Sequence, residues 1–243
     1  MLTSEFKNIA LVGSNSDLGI SILNHLPIAR DAKLQLIGRT KPDENRLNEL
    51  NIDYEFKFCN LVDLSEVKGI FDNSSDFIDL DLVIIAAGYL PPENSEFDVS
   101  SIETTFLVNS LSSIMILSGF AKLMTSNSKS QILVISSVAC LRPRNRNFTY
   151  GASKRALDFF SIGLQNGIKD SSPCISILRP GFVYSKMTRD YKPAPFAITT
   201  DQLGEIASKG LLRRKKIIYA PKKLNLVMKI ARALPRFIFD KLG

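Results

Sequence analysis

Tyr150 and Lys154 stand four residues apart in the stretch Tyr150-Gly151-Ala152-Ser153-Lys154, and Ser137 lies thirteen residues before the tyrosine. On a helix, a four-residue spacing puts two side chains on one face, one turn apart. A lysine ammonium there would lower the tyrosine pKa from about 10 and prepare the phenol to exchange a proton at neutral pH. A serine hydroxyl arriving from a strand end can hold a substrate oxygen at that proton donor. Taken singly, these residues read equally well as an amphipathic-helix pair and a loop hydroxyl. Their combination points to acid–base chemistry on a carbonyl or an alcohol.

Such a trio needs a scaffold that brings strand ends and a helix together. Apolar runs at 8–13, 33–38, 54–59, 81–86, 131–136, 174–178 and 216–220 are short and rich in β-branched residues. They lack clean two-residue alternation, as expected for strands covered on both faces of a parallel sheet. Longer helical patterns lie between them, notably 101–125 and 150–169. The order predicts an α/β fold, a Rossmann-type doubly wound parallel sheet, with the ligand beyond the carboxyl ends of the strands. A length of 243 residues, 45% of them hydrophobic, fits one large domain over 1–221, with a basic amphipathic C-terminal tail over 222–243.

Composition excludes several classes. The scattered Cys59, Cys140 and Cys174 and the lone His25 offer neither a disulfide framework nor a usual metal site. No unbroken apolar run reaches the roughly 18 residues of a membrane span, and the start Met1–Gly13 lacks a signal peptide's pattern, so a cytoplasmic protein is expected. The net charge of +7 is uneven: residues 211–243 hold ten bases against Asp240, leaving −2 for the rest. A basic tail on a near-neutral body suggests an anionic partner, membrane surface or nucleic acid.

The loop Gly13-Ser14-Asn15-Ser16-Asp17-Leu18-Gly19 follows the first strand. Glycine there lets the backbone turn tightly and approach a pyrophosphate seated on the next helix's N-terminus. Asp17 stands where a middle glycine is usual. An acid caps a helix start well, but it sets negative charge near a phosphate, so Asp17 is not expected to face the pyrophosphate directly. An ordinary strand-to-helix turn would look similar.

With these motifs the chain resembles the short-chain dehydrogenase/reductase family over residues 7–221. The resemblance implies a catalytic tetrad of Asn109, Ser137, Tyr150 and Lys154, with Asn109 holding a proton-relay water. It implies that cofactor is bound by Gly13, Ser14, Asn15, Asp17, Leu18, Gly19, Arg39, Asn60, Leu61, Ala87, Gly88, Tyr150, Lys154, Pro180, Gly181, Val183 and Ser185. No metal is implied. Ile85-Ala86 and Asn60 depart from the family's usual residues. An acid at the end of the second strand would favour NAD, but Ile37-Gly38-Arg39-Thr40 has glycine in its place and then an arginine able to grip a 2′-phosphate. NADP(H) is favoured; NAD(H) stays acceptable if Arg39 merely stacks on the adenine. The family usually pairs through the helices carrying Asn109 and Tyr150, so a homo-oligomer is expected.

Two features bear on substrate. Arg142, Arg144 and Arg146 alternate between Ser137 and Tyr150, placed either to bind an anionic substrate group or as a solvated loop. Residues 222–234, taken as a helix, set Lys222, Lys229 and Arg232 on one flank of an apolar arc, the pattern of an interfacial membrane helix and equally of a helix docked on a core. Nothing offers a groove-reading element, so nucleic acid ranks below membrane. Residues 142–151 and 219–239 together are similar to the decaprenylphosphoryl-2-keto-ribose reductases of actinobacterial cell-wall synthesis. That likeness implies a polyprenyl-phosphate keto-sugar substrate, a flavin oxidase partner that supplies it, and work at the inner face of the cell membrane. Members of that group typically use NADH, against the reading of Arg39. The alternatives are a reductase of another keto-lipid or keto-acyl chain, or a cofactor-binding scaffold without catalysis.

Overall fold

Capped turns and β-branched runs alternate along the chain. A computed structural model describes residues 5–235 except 43, 49, 51, 74–76, 78, 126–128, 146 and 169–172. In chain order the elements are β1 (Phe6–Val12), α1 (Asp17–Asn24), β2 (Ile28–Gly38), α2 (Glu44–Asn48), β3 (Asp53–Phe58), α3 (Leu64–Gly69) and β4 (Leu82–Ile85). There follow α4 (Val99–Phe106), a π-helical turn (Leu107–Ser112), α5 (Ser113–Leu123), β5 (Gln131–Ile135), α6 (Phe148–Gly167) and β6 (Cys174–Pro180). The short strands β7 (Val183–Tyr184) and β8 (Ile198–Thr199), then α7 (Thr200–Leu211), β9 (Ile217–Ala220) and α8 (Leu224–Ala233), complete the order. Side-chain oxygens satisfy the free N–H groups that open several helices: Ser16 caps α1, Asp63 caps α3, Asp98 caps α4, and Thr199 with Gln202 forms a reciprocal box on α7.

Seven parallel strands lie in the order β3-β2-β1-β4-β5-β6-β9. The sheet is doubly wound, as the sequence predicts, and the strand order reverses between β1 and β4. Alternate residues feed two cores. Ile9 and Leu11 of β1 and Leu82 and Ile84 of β4 join α1 and α7 on one face. Ala10, Val12, Val83 and Ile85 join Ile116, Leu117, Phe120 and Leu157 of α5 and α6 on the other. Both faces are covered, which is why the strands read as continuous apolar runs.

The structure adjusts several expectations. β2 begins five residues before its apolar run, at Ile28, because Phe6 pairs with Ile28 across a register shift at which the extra residues lie in β2. The helix expected at 101–125 is one continuous stretch, Val99–Leu123, interrupted by the π-helical turn. Its 25 residues and mean hydropathy of 1.5 would suffice to cross a membrane by length and composition. It is instead a core helix, with Ile116, Leu117 and Phe120 fully buried. In the tail, α8 rests on the body through buried Leu224 and Met228, one of the two arrangements that its sequence pattern allows. Phe237, Ile238 and Phe239 lie outside the described residues.

An ion pair sealed in the protein joins α6 to β6. Arg179 Nε and Nη2 donate to Asp158 Oδ2 and Oδ1 at 2.9 and 2.7 Å, and neither side chain is more than 6% exposed. Ser136 Oγ donates to the same carboxylate at 2.9 Å, and Arg179 Nη1 donates to the Tyr219 hydroxyl of β9 at 2.9 Å. Burial pulls the Arg179 pKa down, but the bonds to Asp158 outweigh it and leave the guanidinium firmly charged. Asp158→Ala strands that charge in the interior and is expected to cost about 3–5 kcal/mol of unfolding free energy. Urea denaturation measures it, and a loss under about 1 kcal/mol, the range of exposed pairs, would show that water reaches the pair.

Candidate active site

A cleft of about 450 Å³ opens beyond the carboxyl ends of the strands, at the β1/β4 reversal. Gly13, with φ of +94°, turns the chain from β1 towards α1, and a Cβ there would meet the Ala87 nitrogen at 2.8 Å. The backbone therefore lies bare at the N-terminus of α1, where free N–H groups and the helix dipole favour an anion. Gly38 is closely packed as well: a Cβ would fall 2.3 Å from Ser14 Oγ, so a side chain at the end of β2 would have to displace that hydroxyl. Arg39, Asn60, Leu61, Leu18 and Val62 line the cleft beyond this floor, and Arg39 is exposed at its rim. Bare backbone at a helix start, a glycine-floored cleft and a rim arginine fit a dinucleotide.

Several loop residues expected at the cofactor hold the loop itself. Ser14 Oγ donates to the Thr40 carbonyl at 2.9 Å, and Asn15 Nδ2 bonds to Thr40 and Lys41. Gly19 packs against Leu11 and Ala86. Asp17 turns its carboxylate to two partners: Arg46 Nη2 donates to Oδ1 at 2.7 Å and the Lys186 backbone N–H to Oδ2 at 2.6 Å. Arg46, on α2, also donates to the Asn15 carbonyl at 3.3 Å. It neutralises the acid in the loop. Sequence reasoning missed Arg46, since nothing in Glu44-Asn45-Arg46-Leu47-Asn48 marks it out.

At the inner end of the cleft stand Ser137, Tyr150 and Lys154. Ser137 leaves β5 in extended conformation and its Oγ accepts from the Ala139 N–H at 3.2 Å. Tyr150 and Lys154 lie one turn apart on α6, as the spacing requires. Lys154 is buried, and its Nζ donates to the Ile135 carbonyl at 3.0 Å. The electrostatics differ from the expected balance. Burial pushes the Tyr150 phenol up to about 12, against a lowering hydrogen bond from Ser137. Burial also draws Lys154 down to about 8. Desolvation of the charged form is the largest influence on each group, and at neutral pH Tyr150 keeps its proton.

Asn109 sits behind this trio in the π-helical turn, fully buried. Its amide clasps the Tyr89 backbone, donating to the carbonyl at 2.7 Å and accepting from the N–H at 2.8 Å, and donates to Ser153 Oγ at 3.1 Å. The amide is thus committed to fixing the Ala87-Gly88-Tyr89 wall; a relay water would have to use the residue's main chain. Pro180, Gly181, Val183 and Ser185 line the opposite wall, with Ser185 tied to Thr188. Thr104, Val108 and Met187 also line the cleft, unannounced by any motif.

The arginines between Ser137 and Tyr150 do not act as a set. Arg142 is withdrawn from the phosphate role: its Nη1 donates to the carbonyls of Ala231, Arg232 and Leu234 at 2.6, 3.3 and 2.8 Å, closing the C-terminal end of α8. The last carbonyls of a helix carry the negative end of its dipole, which a guanidinium satisfies well. Arg144 is exposed, and Arg146 lies outside the described residues.

The profile of a family described as short chain dehydrogenase matches residues 7–195. An uncharacterized oxidoreductase of Mycobacterium tuberculosis is 28% identical over 160 residues, covering 65% of this chain and 64% of that protein. The chain thus spans just under two thirds of that curated relative. A short-chain dehydrogenase from Sphingobium yanoikuyae in complex with NADPH superimposes with a TM-score of 0.75 at 17% identity, covering 95% of this chain and 97% of that one. A 3-oxoacyl-[acyl-carrier protein] reductase from Brucella melitensis in complex with NAD gives 0.71 at 19%, covering 89% and 96%. The two structures share the fold.

Buried Lys154 makes stability depend on pH. Folded, it titrates near 8 against an ordinary 10.5, so its charging penalty is complete below pH 8. Between those values the unfolded chain holds a proton that the folded one lacks, and stability rises with pH. The unfolding free energy of wild type minus that of Lys154→Met should therefore climb from about pH 8 to 10, by at most about 1.4 kcal/mol per pH unit. A flat difference would mean that the ammonium is solvated.

Proposed function

The chain belongs to the short-chain dehydrogenase family, and from that premise we propose that it reduces a ketone with a nicotinamide dinucleotide as hydride donor. The observation that carries this reading is the junction of Ser137 and Tyr150 with buried Lys154 at the inner end of the cleft. A bound nicotinamide supplies hydride. Ser137 Oγ orients the substrate oxygen. Tyr150 holds its proton at neutral pH and donates it to that oxygen as negative charge develops there. Lys154, anchored on the Ile135 carbonyl, is the cation beside the phenolate so formed and a donor towards the cofactor's ribose. Asn109 keeps the Tyr89 wall in place.

NADP(H) is the favoured cofactor, with NAD(H) as the alternative. Gly38 supplies no acid at the ribose position, and Arg39 stands exposed at the rim, able to meet a 2′-phosphate with two parallel hydrogen bonds. The solved neighbours hold one dinucleotide each, NADPH and NAD.

For the substrate we keep the keto-sugar of a polyprenylphosphoryl pentose, reduced at C2 and supplied by a flavin oxidase. This finer reading rests on the likeness of residues 142–151 and 219–239. It is supported by exposed Arg144 and by Met187, an apolar residue of the cleft lining that is 44% exposed. α4 exposes Val99 and Phe106 and α6 exposes Phe148 and Phe159, apolar side chains that support pairing with a second copy of the chain.

Oxidation of NADPH and NADH should be followed with a polyprenylphosphoryl keto-pentose against a keto-acyl thioester. Turnover of the thioester alone would replace the sugar; oxidation by neither, with dinucleotide still bound, would leave a scaffold. Tyr150→Phe is expected to lower kcat by at least about 10²-fold while dinucleotide binding persists; retained turnover would remove Tyr150 from the proton-donor role. Arg39→Ala should weaken NADPH much more than NADH in fluorescence titrations. Equal losses would mean that Arg39 does not touch a 2′-phosphate.

A further inference from the structure

α8 is held on the body along one edge. Leu224 and Met228 are buried, and Leu224 Cδ1 lies only 2.6 Å from where a Cβ on Gly181 would be. The outward surface divides lengthwise. Lys222, Lys229 and Arg232 are exposed on one flank. On the next, Leu226 and Ile230 are 65% and 55% exposed, one turn apart. Docking on the core therefore accounts for one apolar edge of the helix and leaves a second beside its bases.

A cavity of about 190 Å³ opens beside the first turn of α8, since Lys222 and Asn225 line it. Lys209, Arg213 and Lys215 from the end of α7 and the turn after it complete a basic wall. Glu205, one turn back on α7, pairs with Lys209 and also feels the charge of Lys222, so it offsets part of this wall and leaves Arg213 and Lys215 as its remaining bases. No acid is among the residues that line the cavity itself. Four like charges gathered around a concave surface repel one another and attract an anion. Each of the four is exposed, so none is held there by burial.

We propose that this face docks on an anionic lipid bilayer, with a phospholipid headgroup phosphate in the cavity of Lys209, Arg213, Lys215 and Lys222 and with Leu226 and Ile230 entering the acyl boundary. Bases that gather headgroups beside aliphatics that enter the interface are the two elements of an interfacial helix. The concentration of charge fits the same occupant: residues 211–243 carry ten bases and one acid on a chain that is otherwise slightly acidic. Docked in this way, α8 lies at the mouth of the cleft. It follows β9, packs on Gly181, which lines the cleft, and ends on Arg142, five residues after Ser137. The proposal is about attachment and does not depend on the reaction catalysed.

Co-sedimentation of the whole chain with vesicles tests it, using phosphatidylglycerol mixed into phosphatidylcholine against phosphatidylcholine alone, at low and high salt. Wild type is expected to pellet with the anionic vesicles and to leave them as salt rises. Arg213→Gln, Lys215→Gln and Lys222→Gln together should weaken binding on the order of 10²-fold. Leu226→Gln with Ile230→Gln should weaken it at every salt concentration. Because all five positions are exposed, circular dichroism and Tm should stay at wild-type values. Inorganic phosphate at millimolar concentration should displace little protein, since a free anion offers nothing to Leu226 and Ile230. The proposal is overturned if wild type ignores anionic vesicles at low salt, if the triple variant binds as wild type does, or if the chain binds duplex DNA but no vesicle.

Discussion

Asp158 has no exposed surface, and it accepts two hydrogen bonds from Arg179 and one from Ser136. A charge taken so far from water is tolerable only where its oxygens are satisfied, and that requirement draws α6, β5 and β6 to one point. The reactive residues are the neighbours of this knot. Ser137 follows Ser136, Pro180 follows Arg179, and Lys154 lies one turn before Asp158. Through Tyr219 the same network reaches β9, from which α8 departs. The geometry of the cleft is thus set by an ion pair that does not line it.

One ion pair and one backbone hydrogen bond make the cofactor loop workable in spite of its unusual acid. Arg46 cancels the charge of Asp17, and the backbone of Lys186 uses the remaining oxygen. The acid therefore ties the loop before α1 to the turn after Ser185, across the cleft opening. Arg46 also holds the Asn15 carbonyl, so one side chain braces both ends of that turn.

Much of the fold was legible because burial on both faces of a parallel sheet writes itself as short β-branched runs. The trio Ser137, Tyr150 and Lys154 was legible because helical spacing and a strand end determine where the side chains go. What was hidden depends on long-range partners. Asp158 and Arg179 are 21 residues apart and each alone resembles a surface residue. Arg142 reads as a phosphate ligand until the end of α8, some ninety residues later, claims it. The tail read as core-docked or membrane-facing because its helix has two apolar edges, and only one of them is covered. The sense of the Tyr150 shift was missed for a different reason: spacing shows which charges are near, but not how much water has been removed from them.

The cap that Arg142 places on α8 also sets an order of assembly. The turn joining Ser137 to Tyr150 takes its brace from the carbonyls of Ala231, Arg232 and Leu234. During synthesis the sheet from β1 to β6 and the helix bearing Tyr150 can form well before those carbonyls exist. Asn147 of that stretch is already tied to Glu96, but the Arg142 brace cannot form until residue 234 has left the ribosome. A nascent chain can therefore be folded in most of its parts and still lack one support of its reaction site.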